Sequence, residues 1–162
     1  MRTFAPLLAG CLAWLALLPL ALAEPFVHEE ARIRFEAPQG WSSQVEGDIL
    51  TLWSPDETAA LVIAVVQPDE LSDLNAALDA ALGELFEDLT PTGKPQKVKL
   101  NGLSGVSARA KGQLEGANIE LRTLLLKLSD GRALLLVGFM ELGAPIEREN
   151  QLRAVLQGVR PL

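Results

Sequence analysis

The 162-residue chain holds one histidine, His28, and one cysteine, Cys11, and this scarcity narrows the chemistry open to it. A serine nucleophile ordinarily needs a histidine base, and His28 lies close to the start of the exported chain. Gly102-Leu103-Ser104-Gly105-Val106 has the outline of a nucleophile elbow, but Val106 stands where the second glycine belongs. The same two glycines join strands rather than a strand to a helix, so they offer no phosphate loop. His28-Glu29-Glu30 brings three residues of metal-ligating type together, without the second histidine of a zinc helix. Carboxylates are frequent, yet spacing alone does not set two of them across a cleft. The expectation is therefore a chain with no catalytic residues, no metal and no cofactor. The alternative left open is a small-ligand-binding protein or hydrolase with a carboxylate-lined pocket between a sheet and a helix.

The charged residues with the most suggestive spacing are basic: Lys97, Lys99, Arg109, Lys111 and Arg122. Their relation depends on strand register. A loop from Asn101 to Gly105 that pairs Leu100 with Val106 keeps apolar residues on one face, and a turn at Glu115-Gly116 pairs Ala110 with Leu121 and Lys111 with Glu120. Lys97 then lies opposite Arg109, and Arg109 opposite Arg122, which gives three cations in one row with Lys99 and Lys111 extending the patch. Opposed like charges repel by some tenths of a kcal/mol. Either carboxylates of the acidic half and water offset this repulsion, or an anionic partner docks on the row.

These residues need strands to carry them. Ile33 and Phe35 alternate with polar neighbours, the chain breaks at Pro38-Gln39-Gly40-Trp41, and alternation resumes at Ile49, Leu50, Leu52 and Trp53 after Gly47-Asp48, which predicts a strand, a turn and a hairpin. Leu61 to Val66 is continuously apolar and β-branched, as in a strand buried on both faces. Leu71, Leu74, Leu78, Leu82, Leu85 and Leu89 recur at helical spacing, away from Asp73, Asp79, Glu84, Glu87 and Asp88, and predict an acidic amphipathic helix capped by Asp69 or Ser72. Thr123 to Leu128 and Ala133 to Met140 are Leu-rich strands joined by the turn Ser129-Asp130-Gly131-Arg132. Leu152, Val155, Leu156 and Val159 form the inward stripe of a closing helix that starts near Pro145 and ends near Gly158. Trp41 and Trp53 pack in the core, together or lining a groove. The fold class is α/β (α+β): a single domain with an antiparallel sheet of about six to eight strands, including an N-terminal hairpin, flanked by helices in α/β/α layers.

Residues 1–23 read as a signal peptide, with Arg2, an apolar run from Leu7 to Leu22, and the small-x-small site Ala21-Leu22-Ala23 before Glu24. Leu8-Ala9-Gly10-Cys11 has the form of a lipoprotein box, but most of the apolar run follows it. The alternative is a lipoprotein tethered through Cys11. Residues 24–162 are then one domain without a cysteine, periplasmic or secreted, with no transmembrane segment after leader removal. Charge is uneven along it. Glu24 to Asp88 holds 15 acids against Arg32 and Arg34, whereas Lys94 to Arg160 holds 11 bases against 6 acids. The acidic total argues against nucleic acid as a partner.

The Phe-x-x-Pro-x-Gly-Trp start, the strand ending in Ser54-Pro55-Asp56, the long apolar strand, the amphipathic helix, the Asn101-Gly102 loop and the Leu-rich strand before a last helix together resemble the PsbP/DcrB-like superfamily. The resemblance spans nearly the whole exported chain. It implies a compact antiparallel sheet with flanking helices, in proteins that are mostly non-enzymatic, and it supplies no catalytic residues. The expected function is that of an exported binding or assembly module of the cell envelope, acting through a protein or envelope surface.

Overall fold

The computed structural model describes residues 25–29, 32–47, 49–67, 82–83 and 86–162. Eleven strands and one helix are present among them: β1 (Pro25–His28), β2 (Ile33–Glu36), β3 (Ser42–Glu46), β4 (Ile49–Trp53), β5 (Ala59–Val66), β6 (Glu87–Pro91), β7 (Gln96–Leu100), β8 (Leu103–Leu114), β9 (Ala117–Lys127), β10 (Ala133–Glu141), α1 (Ile146–Gly158) and β11 (Arg160–Pro161). Eight strands form an antiparallel sheet in the order β3-β4-β5-β10-β9-β8-β6, with β7 also on β8. Both β6 and β7 lie along one edge of β8, because that strand is long enough to pair with β7 near its start and β6 near its end.

The remaining strands make a second sheet, β1-β2-β11. The first strand expected from the Ile33 and Phe35 alternation is β2, with both residues buried and Arg34 and Glu36 exposed. It leaves the β3–β4 hairpin and pairs instead with β1 and with β11 at the far end of the chain. Trp41 N–H donates to Pro38 O within the break between the two sheets. The expected flanking by helices is met in part: α1 covers one side of the large sheet together with the small sheet, in which β2 pairs with β1 and β11 rather than joining the entry hairpin.

The core follows the two faces of the large sheet. On the α1 side, Leu50, Leu52, Leu61, Ile63, Leu126, Leu134 and Leu136 meet Ile33, Phe35, Leu152, Val155 and Val159. On the other, Ile119, Leu121, Val137 and Phe139 meet Leu82, Phe86 and Leu89. The doubly buried character expected of β5 and of the Leu-rich pair is met in β5 and β10, whereas Leu124 and Leu125 of β9 are only half-buried. A fully buried side chain of this size stabilises by about 1.5–3 kcal/mol. Gly138 seats α1: a Cβ there would lie 3.1 Å from a methyl of Leu152, so a larger residue would require the Leu152 side chain to give way by a few tenths of an ångström.

Trp41 and Trp53 do not pack together. Trp41 packs on the α1-side core, and Trp53 meets Phe139 edge to face at 5.8 Å on the other side, where it is 36% exposed. The expected acidic helix lies largely outside the described residues, with Leu71, Leu74, Leu78, Leu85 and the caps Asp69 and Ser72 among those not described. Leu82 and Gly83 are helical and Phe86 N–H donates to Leu82 O. Leu89 is a correction, because Glu87–Pro91 is strand β6, paired with β8. Asp88 has φ +51°, incompatible with continuing a right-handed helix, and Leu89 reaches the core from a strand.

Candidate functional site

The register of β7 on β8 decides the fate of the expected cation row. Lys97 pairs with Val106, Lys99 with Ser104 and Leu100 with Leu103, so the hairpin closes through a two-residue turn at Asn101-Gly102. Both turn residues have positive φ, +47° and +90°, the geometry that the right-handed twist of a tight hairpin favours and that Asn-Gly adopts readily. The expected Leu100–Val106 pairing is therefore overturned. Placing Lys97 beside Val106 costs little, because Val106 is 42% exposed. Asn101 has a further use that its sequence context did not reveal. Its Nδ2 donates to Gln157 O at 2.9 Å and Val159 O at 2.7 Å, satisfying carbonyls at the end of α1.

Lys97 is consequently not opposite Arg109, and the five cations divide between the two faces. Val98 and Leu100 pack into the α1-side core, so alternation turns Lys97 and Lys99 to the opposite face. The β8–β9 register agrees with the sequence reading: Ala110 pairs with Leu121, Lys111 with Glu120 and Arg109 with Arg122. Arg109, Lys111 and Arg122 share the α1 side.

Arg122 is neutralised there. Its Nε donates to Glu120 Oε1 at 3.0 Å and its Nη2 to Glu149 Oε1 of α1 at 3.2 Å, and Glu149 also accepts from Arg153 at 2.6 Å. Partial burial opposes the charge on Arg122, but the hydrogen bonds to Glu120 and Glu149 outweigh it and hold the guanidinium above its ordinary pKa. Hydrogen bonds from Arg122, then Arg153, hold Glu149 below the usual carboxylate range. Arg109 and Lys111 are exposed, with no ion pair among the described residues.

A second polar assembly fastens α1 to the β4–β5 turn. Asp56 accepts from Ser54 Oγ at 2.8 Å, Thr58 Oγ1 at 2.9 Å and Arg148 Nε at 3.0 Å. The Ser54 hydroxyl, with Thr58 and Arg148, holds the Asp56 carboxyl far below its usual range. Ser54 is buried, and its Oγ accepts from Ala59 N–H, so its hydroxyl is fully used in closing the turn. Arg148 also donates to Gln151 Oε1 at 2.9 Å, and Trp41 Nε1 donates to the same oxygen at 3.0 Å.

Two concavities border these elements. One, of about 580 Å3, lies between the small sheet and α1 and is lined by Arg34, Glu36, Gln39, Gln151 and Arg160 with Pro25, Ala37, Pro38 and Ala154. The other, of about 1050 Å3, is more apolar and lies on the opposite face of the large sheet, bordered by Leu89, Val106, Leu121 and Leu125. Ser104 stands in strand β8 opposite Lys99, and His28 closes β1 opposite Ile33. Among the described residues no group of three or more His, Cys, Asp or Glu side chains is placed to hold a metal ion, and no helix is long and apolar enough to cross a membrane.

No family model matches the chain, and no curated protein matches it significantly in sequence. Solved structures do match. The cyanobacterial PsbP (CyanoP) of Synechocystis superposes with a TM-score of 0.66 at 10% identity, covering 94% of this chain and all of that one. LpqN of Mycobacterium tuberculosis, described as involved in cell envelope biogenesis, gives 0.57 at 14% identity over 85% of this chain and 88% of its own. The Ran-binding protein Mog1p of Saccharomyces cerevisiae gives 0.58 at 7% identity over 84% and 93%. At these identities the likeness is one of fold alone, and it agrees with the antiparallel sheet expected from the sequence.

Proposed function

We propose that this protein is an exported, non-enzymatic binding module of the cell envelope that docks an anionic protein or envelope surface. The observation that carries the reading is the contrast within the β8–β9 strip: Arg122 is matched by Glu120 and Glu149, while Arg109 and Lys111 beside it stay exposed and form no ion pair among the described residues, although Glu120 lies opposite Lys111, on a molecule whose net charge is −7. A cationic strip on an acidic protein orients an anionic partner and raises its rate of encounter. Lys97 and Lys99, on the other face, are not part of this surface. The likeness in fold to an envelope-biogenesis protein and a Ran-binding protein supports a binding role.

Export rests on the leader at 1–23, with the mature protein starting at Glu24. N-terminal sequencing of the exported protein tests it, and an acylated product beginning at Cys11 would replace it with the lipoprotein alternative. For the surface, material that co-purifies from the envelope identifies the partner, and the double charge reversal Arg109→Glu/Lys111→Glu should then slow association and flatten its salt dependence at unchanged melting temperature. Unaltered association rates for that variant would remove the strip from the binding surface.

A further inference from the structure

The structure holds a second pair of directly opposed arginines, and nothing in the surface reading accounts for it. Arg34 of β2 and Arg160 of β11 are register partners, so their side chains leave the same face of the small sheet about 5 Å apart. Both are exposed, and neither has an ion pair among the described residues. Glu36 is two residues along on the same face of β2 and forms no ion pair with Arg34. Both arginines line the cleft of about 580 Å3 between the small sheet and α1, a volume within the usual range for small-molecule sites.

A third donor in the lining is fixed in orientation. Gln151 Oε1 accepts from Trp41 Nε1 and from Arg148 Nη1, groups that can only donate, so the amide oxygen is committed to them and the Nε2 hydrogens remain available as donors. The donors of the lining therefore include two guanidinium forks and a carboxamide N–H, against a single carboxylate among the described residues. Pro25, Ala37, Pro38 and Ala154 make much of the rest apolar. Guanidinium forks match planar oxyanions in two-point contacts, and a lining with two cations and one anion is satisfied by a single negative charge.

We propose that this cleft is a receptor site for a soluble monocarboxylate with an apolar body, its carboxylate bridging Arg34 and Arg160 and its body lying along Pro25, Ala37, Pro38 and Ala154. Glu36 disfavours a second negative charge on the ligand and leaves an acceptor for a hydroxyl near the head. This site is separate from the Arg109–Lys111 strip, and either can fail without the other.

Octanoate below its micelle concentration is a suitable probe, titrated into the purified protein by calorimetry, with octanol and octylammonium as controls of equal apolar length. Octanoate should bind with one-site stoichiometry and the two controls at least about tenfold more weakly, a difference of about 1.4 kcal/mol. Arg34→Gln and Arg160→Gln should each weaken octanoate binding by about tenfold at unchanged melting temperature, while Arg109→Gln leaves it as it is. Arg34→Lys keeps the charge without the fork and should fall between wild type and Arg34→Gln. Equal binding of octanoate and octanol, undiminished binding by the glutamine variants, or no octanoate binding at all would each overturn the proposal. Binding to phosphatidylglycerol vesicles that Arg34→Gln abolishes, without octanoate binding, would overturn it in favour of a lipid headgroup.

Discussion

Two pairs of opposed arginines lie in this molecule, and they are resolved differently. Arg109–Arg122 spans β8 and β9, where α1 comes close enough to bring Glu149 onto Arg122, and Glu120 on the same strand completes the neutralisation. Arg34–Arg160 spans β2 and β11, at the rim of a cleft with Glu36 as the only acid among the described residues of its lining. A guanidinium stays protonated wherever it sits, and a partly buried one, with less water to solvate it, relies on fixed acids to offset the cost of burying that charge. An exposed pair needs no such partner, since water and salt reduce its repulsion to tenths of a kcal/mol, and it remains open to a ligand. The acids that reach Arg122 make it a structural charge, whereas Arg109 beside it and both arginines of the second pair stay exposed.

The helix is thus the place to break the comparison most strongly. Leu152 of α1 is 3% exposed and sits over Gly138, so Leu152→Ala should cost roughly 2–5 kcal/mol in denaturant unfolding. A loss well under 1 kcal/mol would mean that α1 is held chiefly by its polar contacts, and Glu149 by the Arg122 bridge rather than by packing.

Removing the neutralised arginine should act next in size. Arg122→Ala leaves Glu120 and Glu149 without their shared donor and should destabilise by about 1 kcal/mol, measured by the same unfolding curves. Arg109→Ala, which breaks no ion pair, should change stability by less than half of that. Acid reaches the same contacts without substitution. Glu149 and Asp56 both have folded-state pKa values below their unfolded ones, so their contribution is present above about pH 4.5 and is lost as the pH falls through the lowered values. Melting temperature should therefore decline below pH 4.5, and Asp56→Asn should flatten that decline; an identical pH profile for the variant would place the acid sensitivity elsewhere.

The smallest effect sharpens the contrast by its sign. Arg34→Ala removes a repulsion with no compensating bond, so it should leave stability unchanged or raise it by some tenths of a kcal/mol, most visibly at low salt. Destabilisation by Arg34→Ala equal to that by Arg122→Ala would show the two pairs to be alike, and would remove the electrostatic premise of an anion site in the cleft.

Local patterns were the legible part of the fold. Alternation at Ile33 and Phe35, the unbroken run in β5, the Ser129–Arg132 turn and the Leu152–Val159 stripe each depend on neighbours within a few residues, and each is found where expected. The β8–β9 register was legible too, because Glu115-Gly116 fixes it over a two-residue turn with both residues at positive φ. The β7–β8 register was not, since the rule that apolar residues share a face presumes a buried face, and around Val106 neither side of the hairpin is fully buried. Of the candidate site, Arg109, Lys111 and Arg122 were placed on one face correctly, while Lys97 and Lys99 were carried across the sheet by that one misjudged turn.

What the sequence determined by itself was β2 to β5 and β7 to β10, most of their turns and the closing helix, but not β1, β6 or β11, because propensity, periodicity and turn chemistry act over short spans. Only the tertiary structure decided that β2 pairs with β11, that Asn101 caps α1, and that Glu149 reaches Arg122 while Arg34 and Arg160 meet beside a cleft. Each of these joins residues at least 27 positions apart. Such contacts depend on how the packed layers fall against one another, and the sequence in the vicinity of either partner carries no record of it.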